Sequence, residues 1–92
     1  MNAQEYAEIF KALSHPIRIT IACGLLNKGK CNVNTISERL QISQSLASQH
    51  INILKKADII TGSRDGNIIW YKISNPLAIK LLSNIDLHIC NE

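Results

Sequence analysis

The run Ser43-Gln44-Ser45-Leu46-Ala47-Ser48-Gln49-His50-Ile51-Asn52-Ile53-Leu54-Lys55-Lys56 carries the side chains best suited to acting on another molecule. Wound as a helix at about 100° per residue, it separates into two arcs. Leu46, His50, Ile53, Leu54 and Ala57 fall on one arc. Gln44, Ser45, Ser48, Asn52, Lys55 and Lys56 fall on the other, with Gln49 at its edge. Ser43 is placed to cap the first turn, its hydroxyl accepting from a backbone N–H that the helix leaves unpaired. Amides and hydroxyls match the donor and acceptor edges of bases, while lysines attract phosphate. A solvated helix face usually mixes Glu with Lys, yet no acid occurs in this run before Asp58. An acid-free face rich in Gln and Ser points to DNA.

The thiols are the other reactive groups. Cys23, Cys31 and Cys90 are odd in number. The opening residues Met1-Asn2-Ala3-Gln4-Glu5-Tyr6 hold no basic region followed by an apolar run, so free thiols in the cytoplasm are expected rather than a disulfide framework. No Cys-x-x-Cys, glycine-rich loop or recognisable base beside a cysteine is present, which sets a thiol enzyme aside; nothing in the sequence calls for a cofactor. His50 lies mid-arc between Leu46 and Leu54 and reads as a packed histidine. Arg18 lies in the first turn of an apolar helix, where it reaches a phosphate or braces an acid.

These groups need a frame. With 92 residues, 46% hydrophobic and 18% charged, the chain is one folded domain over residues 1–92. A domain of this size buries only somewhat over about 60% of its unfolded surface and gains from a partner subunit. The net charge of +3 permits nucleic-acid binding without demanding it. No apolar stretch approaches the ~18 residues of a membrane span.

Asn2 and Glu5 are spaced as a capping box opening a helix through Tyr6, Ile9, Phe10 and Leu13. Pro16 suits the first turn of a second helix, apolar around most of its circumference from Ile17 to about Asn27 and therefore central. Lys28-Gly29-Lys30 ends it. Asn32 or Asn34 caps a third helix bearing Val33, Ile36 and Leu40. Gln41-Ile42-Ser43 then turns into the run described above, forming a helix-turn-helix. Ile59-Ile60-Thr61 reads as a strand, Asp65-Gly66 as a hairpin turn and Ile68 to Ile73 as the return strand. Of Trp70 and Tyr71, one faces the core and the other the surface. Asn75-Pro76 opens a last helix with Leu77, Leu81, Leu82 and Ile85 on its apolar arc. The order α-α-α-α-β-β-α makes the fold mainly α with a β-hairpin wing, a winged helix-turn-helix.

Four pieces stand in order along the chain: Phe10-Lys11-Ala12-Leu13-Ser14-His15-Pro16-Ile17-Arg18-Ile19, Ile42 to Ile51, Leu54-Lys55-Lys56-Ala57-Asp58-Ile59-Ile60, and the hairpin Arg64-Asp65-Gly66-Asn67 with Trp70-Tyr71-Lys72-Ile73. In order and spacing they resemble the ArsR family of bacterial transcriptional repressors. The resemblance spans about Tyr6 to Cys90. It implies a homodimer paired through its first and last helices, whose recognition helices enter successive major grooves of an inverted repeat. Carried over by position, Gln44, Ser45, Ser48 and Gln49 would read bases. Asn52, Lys55 and Lys56 would touch phosphate, and Arg64 at the hairpin tip would reach a narrow minor groove.

Members of the family differ in what they sense. One branch binds soft metals through a Cys-x-Cys entering the third helix, but those positions here are Asn32 and Asn34, with Cys31 one place off. Another binds zinc on the last helix; Asp86-Leu87-His88 resembles its first half only. No metal site is therefore expected. The chain is most similar to the HlyU/BigR-like dithiol sensors, which have one cysteine in the second helix and another near the end of the last. Cys23 and Cys90 match that pair, though Ile89 stands where an aromatic is common. Both would lie at the margins of apolar arcs, Cys23 beside Thr20 and Cys90 beside Ser83, reachable by an oxidant or a reactive sulfur species. A regulator with a metal effector or none, its cysteines structural, and a winged helix used for protein contact remain open.

Overall fold

Local capping rules account for where each helix begins. In the computed structural model, which describes residues 2–85, Asn2 Oδ1 accepts from the Glu5 N–H at 3.0 Å while the Asn2 N–H donates to Glu5 Oε1 at 3.3 Å. That reciprocal box opens α1, Ala3–Leu13. Pro16 starts α2, Pro16–Lys28, and the cap before it is His15, whose Nδ1 accepts from the Ile17 N–H at 3.1 Å. Gly29, at φ 91°, closes α2 in a conformation that a side chain would strain. Asn32, not Asn34, caps α3, Val33–Leu40. Ser43 caps α4, Gln44–Lys56, through a 3.0 Å bond from the Leu46 N–H. Asn75 caps α5, Pro76–Leu82.

Between α4 and α5 runs an antiparallel hairpin, β1 Ile60–Asp65 and β2 Ile68–Ile73, with Ile60 opposite Ile73 and Asp65 opposite Ile68. The two-residue loop is therefore Gly66-Asn67, one residue later than expected, with Gly66 at φ 64° supplying the left-handed position. Cys31 extends this sheet: its N–H donates to the Tyr71 carbonyl at 3.0 Å and its carbonyl accepts from the Tyr71 N–H at 2.8 Å. The winged helix-turn-helix order α-α-α-α-β-β-α is the observed one.

The central helix is α2, packed against α1, α4, α5 and β2, with Ile21, Ala22 and Leu25 buried. Tyr71 faces the core, while Trp70 is half-buried under Lys30, whose Nζ stands 5.2 Å from the ring centroid.

Two expectations about apolar arcs change. On α4 the buried stripe is Ala47, His50, Ile51 and Leu54, with Leu46 only half-buried and Ile53 41% exposed. Residues 46, 47, 50, 51, 53 and 54 offer two overlapping stripes, and packing against α2 and α3 selects the one containing the small Ala47. On α1, Ile9 and Leu13 are buried, but Tyr6 and Phe10 stay exposed, at 39% and 54%.

Candidate nucleic-acid interface

The turn between α3 and α4 sets how α4 is presented. Gln41 adopts φ 57°, its N–H donates to the Glu38 carbonyl, and the Ile42 N–H donates to the Ser37 carbonyl at 3.1 Å. The stripe Ala47, Ile51 and Leu54 then anchors α4, with none of the three more than 2% exposed. With that side fixed, Gln44, Ser45, Ser48, Gln49, Asn52, Lys55 and Lys56 are all exposed. Seven polar or cationic side chains thus share one surface without an acid among them. The structure brings together every α4 residue that the sequence reading proposed for DNA contact.

Beside this surface stands the hairpin. Arg64 is exposed on β1 opposite Ile69, one pair inside the tip, so the tip itself is Gly66-Asn67. A cleft of about 470 Å³ separates α4 from the hairpin, lined by Asn32, Val33, Asn34, Ser48, Asn67, Ile68, Ile69 and Tyr71. No charged side chain lines it. Within reach of this cleft Gln44 Nε2 donates to Asn34 Oδ1 at 2.8 Å. The sequence reading gave Asn34 and Asn67 no place beside α4. The available signal was topological, because a helix-turn-helix brings the start of α3 near the start of α4.

Arg18, half-buried, is engaged with α1 and α4. Its Nε donates to the Ala12 carbonyl at 2.6 Å and its Nη1 lies 3.3 Å from His50 Nδ1. It braces the end of α1 against α4, a long-range duty that its place in α2 did not disclose. His50 is buried, as a packed histidine should be, with its ring centroid 4.5 Å from that of His15 at an interplanar angle of 45°. Burial, followed by the His15 and Arg18 charges, pushes its pKa below the usual imidazole value. His50 thus belongs to the buried stripe, on the side of α4 opposite the exposed polar surface.

The cysteines occupy different surroundings from those expected. Cys23 is only 5% exposed, so it belongs to the core and not to the margin of an apolar arc. Cys31 is buried as well, and burial pushes its thiol above the ordinary value despite the opposing pull of Arg39 and Lys28. Cys90, the partner proposed for Cys23, lies outside the described residues, as does His88. Among the described residues no three His, Cys, Asp or Glu side chains converge on a possible metal position, and no helix is long and apolar enough to cross a membrane.

Comparison with known proteins agrees with this geometry. Residues 15–61 match the family described as "Bacterial regulatory protein, arsR family". The transcriptional repressor PagR of Bacillus anthracis is 34% identical over 92% of this chain and 88% of its own. Its crystal structure superposes with a TM-score of 0.84, covering 90% of this chain and 94% of PagR. Reduced HlyU from Vibrio cholerae superposes with a TM-score of 0.85 at 26% identity, covering 89% and 85% of the two chains. The repressor BigR from Xylella fastidiosa gives 0.80 at 30% identity, covering 88% and 82%. The resemblance to the HlyU/BigR-like branch therefore holds in both sequence and fold. The chain belongs to the ArsR family of bacterial regulatory proteins, as a DNA-binding transcriptional regulator and not an enzyme.

Proposed function

We propose that this chain is a homodimeric repressor that reads an inverted-repeat operator and releases it when an effector modifies the protein. The observation that carries the DNA reading is the exposed, acid-free surface of α4 held by a fully buried stripe on its other side. Gln44, Ser45, Ser48 and Gln49 read base edges, while Asn52, Lys55 and Lys56 contact phosphate. Arg64 approaches the neighbouring minor groove. Dimerisation through the first and last helices is supported by the outward Tyr6 and Phe10 of α1 and by Ile85 just beyond α5, 44% exposed. Apolar side chains of that size on a small domain are suited to a partner subunit.

For the effector, the likeness to HlyU and BigR supports Cys23 and Cys90 as a dithiol sensor. With a peroxide, one thiol is oxidised to a sulfenic acid as the peroxide is reduced to water. The second thiol then displaces a second water, leaving a disulfide. With a persulfide donor, one thiol takes the sulfane sulfur and releases the donor's thiol. The other thiol then attacks to form the disulfide, and hydrogen sulfide leaves. A bridge between α2 and the last helix would alter their packing and the spacing of the two recognition helices, shifting the population away from the DNA-bound form. The burial of Cys23 favours a second reading, in which the cysteines are packing residues and the effector acts elsewhere.

One experiment separates these readings. The reduced protein is treated with a persulfide donor, its mass and peptide map recorded, and its binding to a selected DNA duplex followed by fluorescence anisotropy. A Cys23–Cys90 bridge formed together with DNA release supports the dithiol sensor. Independent modification of the thiols with DNA binding intact supports structural cysteines. DNA affinity that is insensitive to salt in the untreated protein would overturn the DNA reading itself.

A further inference from the structure

Gln44, the first residue of α4, has its amide held before any DNA arrives. Its Nε2 donates to the Oδ1 of Asn34, ten residues earlier, at 2.8 Å. Asn34 is the second residue of α3 and lines the cleft between α4 and the hairpin. Ser48, one turn further along α4, lines the same cleft. The bond therefore forms on the side of α4 that turns toward the hairpin, not on its buried side.

A free glutamine samples many rotamers and presents its amide either way round, and ordering it on binding costs affinity. The bond to Asn34 uses one N–H of Nε2. It leaves the second N–H and the whole of Oε1 available. Those are the two groups that adenine matches in the major groove, where N7 accepts and N6 donates. We propose that Asn34 is a specificity-positioning residue that holds the Gln44 amide in the orientation that reads adenine. The inference rests on the reading of Gln44 as a base contact. Because no charged side chain lines the cleft, Asn34 adds nothing to counterion release, and its loss leaves the salt dependence of binding unchanged.

The test uses the full chain and duplexes that it selects from a random library. Affinities of wild type, Gln44→Ala, Asn34→Ala and Asn34→Asp are measured on the selected duplex and on each single-base variant, at several salt concentrations, alongside melting temperatures. Gln44→Ala is expected to lose about tenfold or more in adenine preference at one position of each half-site. Asn34→Ala is expected to lose about threefold at that same position, the scale of one side chain's ordering, with melting temperature and salt slope unchanged. Asn34→Asp can only accept a hydrogen bond, so it is expected to keep the preference while its negative charge weakens binding to every duplex.

Wild-type preference in Asn34→Ala, with preference lost in Gln44→Ala, would overturn the positioning role and leave the base contact standing. Loss of preference in Asn34→Asp as well would trace the effect to a direct contact by the Asn34 amide and overturn it too. Unchanged preference in Gln44→Ala would overturn the base contact and the inference together.

Discussion

Along the inward side of α4 lie Ala47, His50, Ile51 and Leu54, and along its outward side lie Gln44, Ser48, Gln49, Asn52, Lys55 and Lys56. Both sides carry polar groups, but those groups do different work. The inward His50 meets Arg18, which in turn holds the Ala12 carbonyl at the end of α1. Among the described residues, the outward Lys55 and Lys56 are exposed and meet no such partner. Two cations near the same helix, Arg18 and Lys55, thus stand in different settings: one is tied to the Ala12 carbonyl and His50, and the other is exposed, where the proposed function gives it a phosphate to contact. Stability and DNA affinity should therefore respond separately to changes on the two sides.

The largest separation is expected at the apolar stripe. Leu54 is fully buried, so Leu54→Ala should cost about 2–5 kcal/mol of stability in urea unfolding, a large share of what a domain this small possesses. Ile53, its neighbour in sequence, is 41% exposed, and Ile53→Ala should cost under about 1 kcal/mol. Equal losses would mean that the assigned rotation of α4 is wrong. Arg18→Ala comes next. It deletes a charged donor to a carbonyl and to His50, worth about 1.5–3 kcal/mol when both partners are shielded and less here because Arg18 is only half-buried. The slope of log affinity against log salt should not move. A slope reduced by about one, with stability intact, would restore Arg18 to the phosphate contacts.

What the sequence disclosed follows from the range of the interactions involved. Asn2, Ser43 and Asn75 could be read as caps because each bonds to a backbone N–H two or three residues away. The outward face of α4 was legible because an absence of acids is a local property. The rotation of α4 was not, since Leu46 and Ile53 continue the His50 and Leu54 stripe as well as Ala47 and Ile51 do. Only the helices packed against α4 decide between them. Arg18 with His50, 32 residues apart, and Asn34 with Gln44, ten apart, are contacts that the fold creates. The burial of Cys23 likewise follows from how many elements surround α2.

On the outward side, Lys55→Ala should leave stability within about 0.5 kcal/mol of wild type. It should weaken binding to selected and unrelated duplexes by the same factor and lower the salt slope by about one. Anisotropy titrations at four salt concentrations would read both effects. An affinity loss confined to the selected sequence would make Lys55 a base contact instead, and the division between readers and phosphate contacts along α4 would have to be redrawn.

The smallest effect sharpens the inward side. Arg18 Nη1 can only donate, so the nearby His50 Nδ1 must accept and the ring keeps its proton on Nε2. His15 also uses Nδ1 as an acceptor, from the Ile17 N–H. Burial and these two neighbours lower the folded-state pKa of His50, whereas the unfolded chain titrates near 6.5. As pH falls, the unfolded state therefore takes up its proton first. The contribution of His50 to stability is complete above about pH 6.5 and is lost as the pH drops through the folded value. The other charged groups nearby, Glu8 and Lys11 of α1 and Lys56 of α4, share a surface groove with Arg18 and are the same in wild type and variant. His50→Gln keeps an acceptor for Arg18 and removes the proton site, so its stability should fall less steeply than that of wild type between pH 7 and 5. Parallel curves would show that His50 has the same proton affinity folded and unfolded, and that neither its burial nor its two neighbours oppose its charge.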